Sequence, residues 1–191
     1  LSHGCRYLAI VKADGYGHGA ATVAGQLQKD GADWFGVATM EEALDLRRQG
    51  IYRPILVLGY TDPAAAPILA SNTITQTLFS EEYALQLVAE AAKAGCVVDC
   101  HVKIDTGMSR LGFDAENENT VLMVEKLAQS GSLHITGIFT HFAVADEDTA
   151  VSMAFTERQF TLFMGVCNRL QADGVNVGLR HCCNSAGTLL H

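Results

Sequence analysis

The sequence predicts an incomplete (β/α)8 barrel, a parallel α/β fold, and three observations carry that prediction. Short apolar runs alternate with longer segments of helical period, the pattern of repeated βα units. Residues able to do chemistry fall at the C-terminal ends of these runs, where barrel strands present their sites. They do so at four different strand ends, whereas a doubly wound open sheet would gather a site at one switch point. A complete barrel takes about 250 residues and eight strands; the 191 residues here supply seven candidate strands.

Strands are expected over 7–12, 34–39, 54–59, 74–79, 98–105, 135–142 and 178–183. The first is apolar from Tyr7 to Val11 and bounded by glycines, as a strand covered on both faces requires. Helices fill the intervals. Glu81 to Ala94 is the clearest, with Ser80 as N-cap and Gly95 beyond its end. Another runs from about Ala150 to Ala172, before Gly174, and a shorter one covers Met40 to Arg48, before Gly50. Residues 1–191 are read as one truncated barrel domain. Its two open sheet edges need cover from a neighbouring chain, an extra local element or a smaller barrel.

With 49% hydrophobic and 18% charged residues and a net charge of −8, the chain reads as a soluble, acidic globular protein. Thirteen Lys+Arg scattered against 21 Asp+Glu, with no basic block, argue against nucleic acid or an anionic membrane as partner. No apolar run reaches the roughly 18 residues of a membrane span, and no secretory leader is visible. Cys5, Cys96, Cys100, Cys167, Cys182 and Cys183 contain no Cys-x-x-Cys and read as buried free thiols of a cytoplasmic protein. The seven histidines form no His-x-x-x-His or Cys/His cluster, so no metal site is expected.

The most informative stretch is 9–19, Ala-Ile-Val-Lys-Ala-Asp-Gly-Tyr-Gly-His-Gly, in which Lys12 ends an apolar strand and runs into a glycine-rich turn. A free lysine has a pKa near 10.4, and only its neutral amine condenses with an aldehyde; desolvation or a neighbouring cation supplies that form. Pyridoxal phosphate is the common such aldehyde. Its phosphate needs a cradle, which Gly15, Gly17, Gly19 and the Tyr16 hydroxyl could offer. A snorkelling strand-end lysine before an ordinary turn is the equal alternative on these residues alone.

In His101-Val102-Lys103-Ile104-Asp105 the polar residues alternate, so they share one strand face. On an antiparallel edge that face would be wet. In a parallel barrel it points inward, where a lysine beside an aspartate must be neutralised by pairing or modification. Asn184-Ser185-Ala186-Gly187 suits a turn into a helix N-terminus, whose free amides and hydroxyl can hold phosphate, or an ordinary N-cap. On these residues alone Arg110 could be a plain helix-start or surface arginine, and His141 closes the sixth strand.

The segment Val-Lys-Ala-Asp-Gly-Tyr-Gly-His-Gly resembles the cofactor-lysine motif of the bacterial alanine racemases, fold-type III pyridoxal phosphate enzymes. Lys-Ile-Asp-Thr-Gly-Met-Ser-Arg-Leu-Gly (103–112), Thr-His-Phe-Ala-Val-Ala-Asp-Glu (140–147) and His-Cys-Cys-Asn-Ser-Ala-Gly (181–187) continue the likeness in family order across the chain. The resemblance implies that Lys12 carries pyridoxal 5'-phosphate and is the base for the D-enantiomer. It implies that Tyr16, Asn184 and Ser185 bind the cofactor, Ser185 at its phosphate. By the same likeness Arg110 contacts the substrate carboxylate and the cofactor's phenolic oxygen, and His141 packs beside the pyridine ring. Lys103 corresponds to a carbamylated lysine that orients Arg110. Cys182 and Cys183 depart from the small residues that relatives carry there.

The implied reaction interconverts L- and D-alanine for peptidoglycan in a bacterial cytoplasm, in a parent protein that is a homodimer. Against the family pattern the chain lacks an opening strand and helix, a final strand, and the β domain bearing a tyrosine that acts as second base across the dimer interface. The 191 residues alone are therefore expected to racemise poorly or not at all. Serine or broad-specificity racemases, including the vancomycin-resistance type, are the nearest alternative. The Lys103/Arg110 pair argues against a fold-type III decarboxylase. A non-catalytic pyridoxal phosphate homeostasis barrel would lack the Ala-Asp-Gly-Tyr-Gly-His-Gly extension.

Overall fold

A computed structural model describes residues 4–191. They divide into two compact units, one of the described residues up to 77 with 89–99 and the other of 78–88 with 100–191. In the first, strands β1 (Leu8–Ile10), β2 (Trp34–Val37), β3 (Ile55–Val57) and β4 (Ile74–Leu78) alternate with helices α1 (Lys12–Tyr16), α2 (Ala20–Lys29), α3 (Met40–Arg48) and α4 (Ala66–Ser71). Neighbouring strands pair in parallel, with Leu8 opposite Trp34, Phe35 opposite Ile55 and Ile55 opposite Ile74. Strands buried on both faces read as apolar runs, and β3 is buried at every residue.

Strand β4 is equally buried although it carries Thr75, Gln76 and Thr77. Burial of such groups requires hydrogen bonds. The Gln76 amide donates to the Gly59 carbonyl at 2.8 Å and the Thr77 hydroxyl to the Val57 carbonyl at 2.7 Å. Arg47, on α3, gathers the loops at the opposite ends of these strands. Its guanidinium donates to the carbonyls of Ile51, Arg53, Asn72 and Thr73 at 2.8–2.9 Å.

Helix α5 (Glu81–Ala94) and strand β5 (Val98–Asp105) each contribute residues to both units. The second unit continues with β6 (Phe113–Asp114), α6 (Asn119–Ala128), β7 (Leu133–Phe139), α7 (Ala150–Ala172), β8 (Leu179–His181) and α8 (Ser185–Leu190). β7 and β8 pair in parallel with Gly137 opposite Leu179, and the short β6 pairs β5 through Ile104 and Phe113. The strand order is β1-β2-β3-β4-β5-β7-β8. Among the described residues, no helix is long and apolar enough to cross a membrane.

Helices α3, α5 and α7 and strand β5 occupy the expected residues. Side chains cap these helices: Thr39 accepts from Glu42 N–H, Ser80 from Tyr83 N–H and Thr149 from Ser152 N–H. The other strands are shorter than expected. β1 stops at Ile10 instead of reaching Lys12, and β7 spans 133–139 instead of 135–142. Apolar character persists past the ladder, since Val11 and Phe142 are buried without belonging to a strand. The cysteines form no disulfide among the described residues, but only Cys100 and Cys167 are buried; Cys5 and Cys183 are exposed, correcting the reading of all six as buried.

Candidate active site

Lys12 follows β1 by two residues and opens α1. The ladder with β2 ends at Ile10 opposite Gly36 because Ala13, Asp14, Gly15 and Tyr16 all take left-handed conformations, with φ between 51° and 63°, which a strand cannot continue. For a residue with a β-carbon this costs about 1–2 kcal/mol, so three such residues in a row of four need external support. Main-chain bonds give part of it: Gly15 N–H donates to Val11 O at 2.9 Å and Gly19 N–H to Asp14 O at 2.9 Å. The Asp14 carboxylate accepts from Ala20 N–H at 2.8 Å, and Glu42 accepts from Ala13 N–H at 2.7 Å. Lys12 is half-buried and Tyr16 is exposed on this turn.

In the second unit, β5 directs His101 and Lys103 to one face, both buried. The Lys103 ammonium donates to the Ile104 carbonyl at 3.0 Å and lies 5.5 Å from the centre of the Phe139 ring. Burial lowers its pKa to about 8; Arg110 adds to the fall and Asp105 opposes it. Of the two expected ways to neutralise Lys103, pairing or modification, a hydrogen-bonded pair with Asp105 is not made. Asp105 instead accepts from Gly107 N–H at 2.9 Å and Ser109 N–H at 3.1 Å, folding the 106–112 loop back on its own strand. Gly112 N–H ties that loop to Phe79 O at 3.1 Å. Arg110 is exposed on it, beside a cavity of about 440 Å³ lined also by Asp105, Ser109, Leu111 and Asp114.

His181, at the end of β8, reaches His101 with 2.9 Å between Nε2 and Nδ1, and stacks on Phe139 at 4.6 Å between ring centres. A β-carbon on Gly137 would fall 2.5 Å from His101 Nε2, so only glycine leaves room for that ring. The sequence pointed to His101 by strand alternation. No signal linked it to His181, although that residue opens the fourth motif.

His141 lies two residues beyond β7, not at the close of the strand as expected. Its carbonyl accepts from Gln159 Nε2 at 3.2 Å, while Gln159 Oε1 accepts from Ala143 N–H at 2.9 Å. Gln159, fully buried on α7, thus holds the His141 segment from both sides. Sequence reasoning missed it, since a glutamine in an amphipathic helix reads as a solvated residue. Asn184 caps α8 by accepting from Gly187 N–H at 2.8 Å and donates to the Phe142 carbonyl at 3.2 Å. Ser185 begins α8 and is exposed.

The fold and site define a class: parallel βα proteins with a lysine on a rigid turn beyond the first strand, and cationic and hydroxyl side chains beyond later ones. A family model for the N-terminal domain of alanine racemase matches residues 1–191. The chain belongs to that family. It is 43% identical to an alanine racemase of Desulfovibrio desulfuricans over 99% of this chain and 50% of that protein. It is 40% identical to alanine racemase 1 of Oceanobacillus iheyensis over 99% of this chain and 49% of that one. Among solved structures, Clostridium difficile 630 alanine racemase in complex with cycloserine superposes with a TM-score of 0.91 at 38% identity, over 97% of this chain and 50% of that one. A histidine racemase from Leuconostoc mesenteroides superposes at 0.79 with 30% identity, over 95% and 47%. The chain spans about half the length of the curated relatives it matches. The expected fold class, a (β/α) barrel present in part, is the one shared with these structures.

Proposed function

We propose that residues 1–191 form one pyridoxal 5'-phosphate-binding barrel domain of an amino-acid racemase that interconverts L- and D-alanine. The observation that carries this reading is Lys12 on a left-handed turn held by two carboxylates, since backbone strain of this kind concentrates at working sites. Each unit carries residue types that suit the cofactor: an amine and a phenol in the first, a guanidinium and a hydroxyl at a helix start in the second. The Lys12, Tyr16, Arg110 and Ser185 side chains make no hydrogen bond or ion pair among the described residues.

When bound, the cofactor supplies an aldehyde for an amine and a ring that draws electrons from the substrate's α-carbon. Lys12 holds the cofactor and then moves a proton at one face of that carbon. Tyr16, Asn184 and Ser185 bind the phosphate end, and His141 packs beside the ring. Arg110 grips the substrate carboxylate with fixed donors. Lys103, once carbamylated, places a negative charge against that guanidinium. We place the parent protein in a bacterial cytoplasm as a homodimer, making D-alanine for peptidoglycan.

The test is to incubate the chain with pyridoxal phosphate and fix the adduct with borohydride. A visible band is expected before reduction and a mass increase on Lys12 after it, and Lys12→Ala abolishes both. Labelling elsewhere, or none, overturns the reading. The histidine racemase likeness supports a second substrate reading, so the loaded protein is titrated with alanine, serine and histidine and the shift of its visible band is followed. Tighter binding of either of the latter two replaces alanine.

A further inference from the structure

Residues 39–42, Thr-Met-Glu-Glu, have the pattern of a capping box, in which the fourth residue's carboxylate turns back to the N–H of the first. Half of that box is made: Thr39 Oγ1 accepts from Glu42 N–H at 3.4 Å. The other half is diverted. Glu42 Oε2 accepts from Ala38 N–H at 2.7 Å, and Oε1 accepts from Ala13 N–H at 2.7 Å, twenty-nine residues away in sequence. One carboxylate thus joins the β2–α3 loop to the residue that follows Lys12. Bonds from a charged acceptor are short and about twice as strong as neutral ones, and both here are short.

Ala13 is the first residue of the left-handed run, with φ 51° and ψ 51°. Its N–H belongs to the peptide that ends at Lys12, so the direction of that N–H fixes the rotation of the Lys12 carbonyl and the exit of its side chain. At the far end, Asp14 Oδ1 holds Ala20 N–H at the start of α2. Gly19, at the N-cap position, has no side chain to do so. Without the Ala13 anchor the alanine would relax toward the right-handed region, and the lysine would swing with it.

We infer that Glu42 is a positioning residue for Lys12, a clamp on two main-chain amides that holds the left-handed turn and so aims the amine at the aldehyde. This inference rests on the reading of Lys12 as the cofactor lysine. It needs no contact between Glu42 and any ligand.

The experiment compares the full chain with Glu42→Gln and Glu42→Ala, using pyridoxal phosphate as the probe. Glutamine keeps the shape but retains one acceptor oxygen, so one of the two amide bonds is lost while the fold is kept. In Glu42→Gln the half-saturating pyridoxal phosphate concentration, read from the visible band, is expected to rise about tenfold, as loss of one charged hydrogen bond predicts. The pH midpoint of that band moves as well, and hydrogen exchange speeds up at Ala13 and Ala38 with far-ultraviolet circular dichroism unchanged. Glu42→Ala shows the same changes, larger. If the wild type labels at Lys12 and both variants label equally, at the same half-saturation and band midpoint, the clamp is refuted. If the wild type takes no aldehyde at Lys12, the cofactor reading fails instead. The clamp is then judged on Ala13 exchange alone, and unchanged exchange in Glu42→Gln refutes it.

Discussion

His101 and His181, eighty residues apart, share one hydrogen bond of 2.9 Å between ring nitrogens, so one imidazole donates and the other accepts. Neither is protonated at neutral pH. Burial lowers His101 to about 3, with the charge of His181 adding, and lowers His181 to about 4, with Lys103 adding.

In the unfolded chain both histidines return to about 6.5. Between that value and about 4 the unfolded chain binds protons that the folded one refuses, so stability falls as pH falls through this window, by about tenfold in the unfolding constant per histidine per pH unit. Urea unfolding at pH 7.5, 6, 5 and 4.5 should show this decline, and His181→Gln should shallow it. Equal slopes for wild type and variant would count against the neutral pair.

Lys103, with its pKa lowered to about 8, has roughly a quarter of its amine neutral at pH 7.5, against about one in a thousand for an ordinary lysine. A neutral, enclosed amine accepts carbon dioxide. With 13C-bicarbonate at pH 7.5 to 8.5, a carbamate resonance should appear in the wild type and vanish in Lys103→Arg. Its absence, or its survival in the variant, would remove the modification from this site.

Gln159→Leu keeps the bulk on α7 but removes the amide that bonds the Ala143 N–H, the His141 carbonyl and the Thr106 hydroxyl. Losing the hydrogen bonds of a fully buried amide costs about 1–3 kcal/mol. Chemical denaturation should record a loss in that range, with faster hydrogen exchange across 141–143. A neutral result would mean that water replaces the amide.

Gly112→Ala and Gly36→Ala test what kind of atom the added carbon meets. At Gly112, with φ +126°, it would lie 2.7 Å from Asp105 N, main chain that cannot yield. At Gly36 it would lie 2.6 Å from Ile10 Cδ1, the end of a side chain that can rotate. The first should cost about 2–3 kcal/mol and the second about 1 kcal/mol. Melting temperatures should separate them in that order.

Where local rules were strong, the elements were legible before any fold was known. Helix α5 begins at a serine that caps it, and the polar alternation from His101 to Asp105 marks a strand on the residues observed. Where they were weak, boundaries slipped. Nothing in Ala-Asp-Gly-Tyr announces left-handed alanine and aspartate, so Lys12 was read into a strand that ends at Ile10. A two-residue strand such as β6 leaves no periodicity to detect.

The amino-acid order alone was enough to give the alternation of strands and helices and the family. Those features depend on residue type and on spacings of a turn or two. The meeting of His101 with His181, of Gln159 with the His141 segment and of Glu42 with Ala13 came from folding. Each joins residues far apart in sequence, and their register is set by which parallel strands and helices bury their apolar faces together. That is a property of the whole packed chain, which no short stretch encodes.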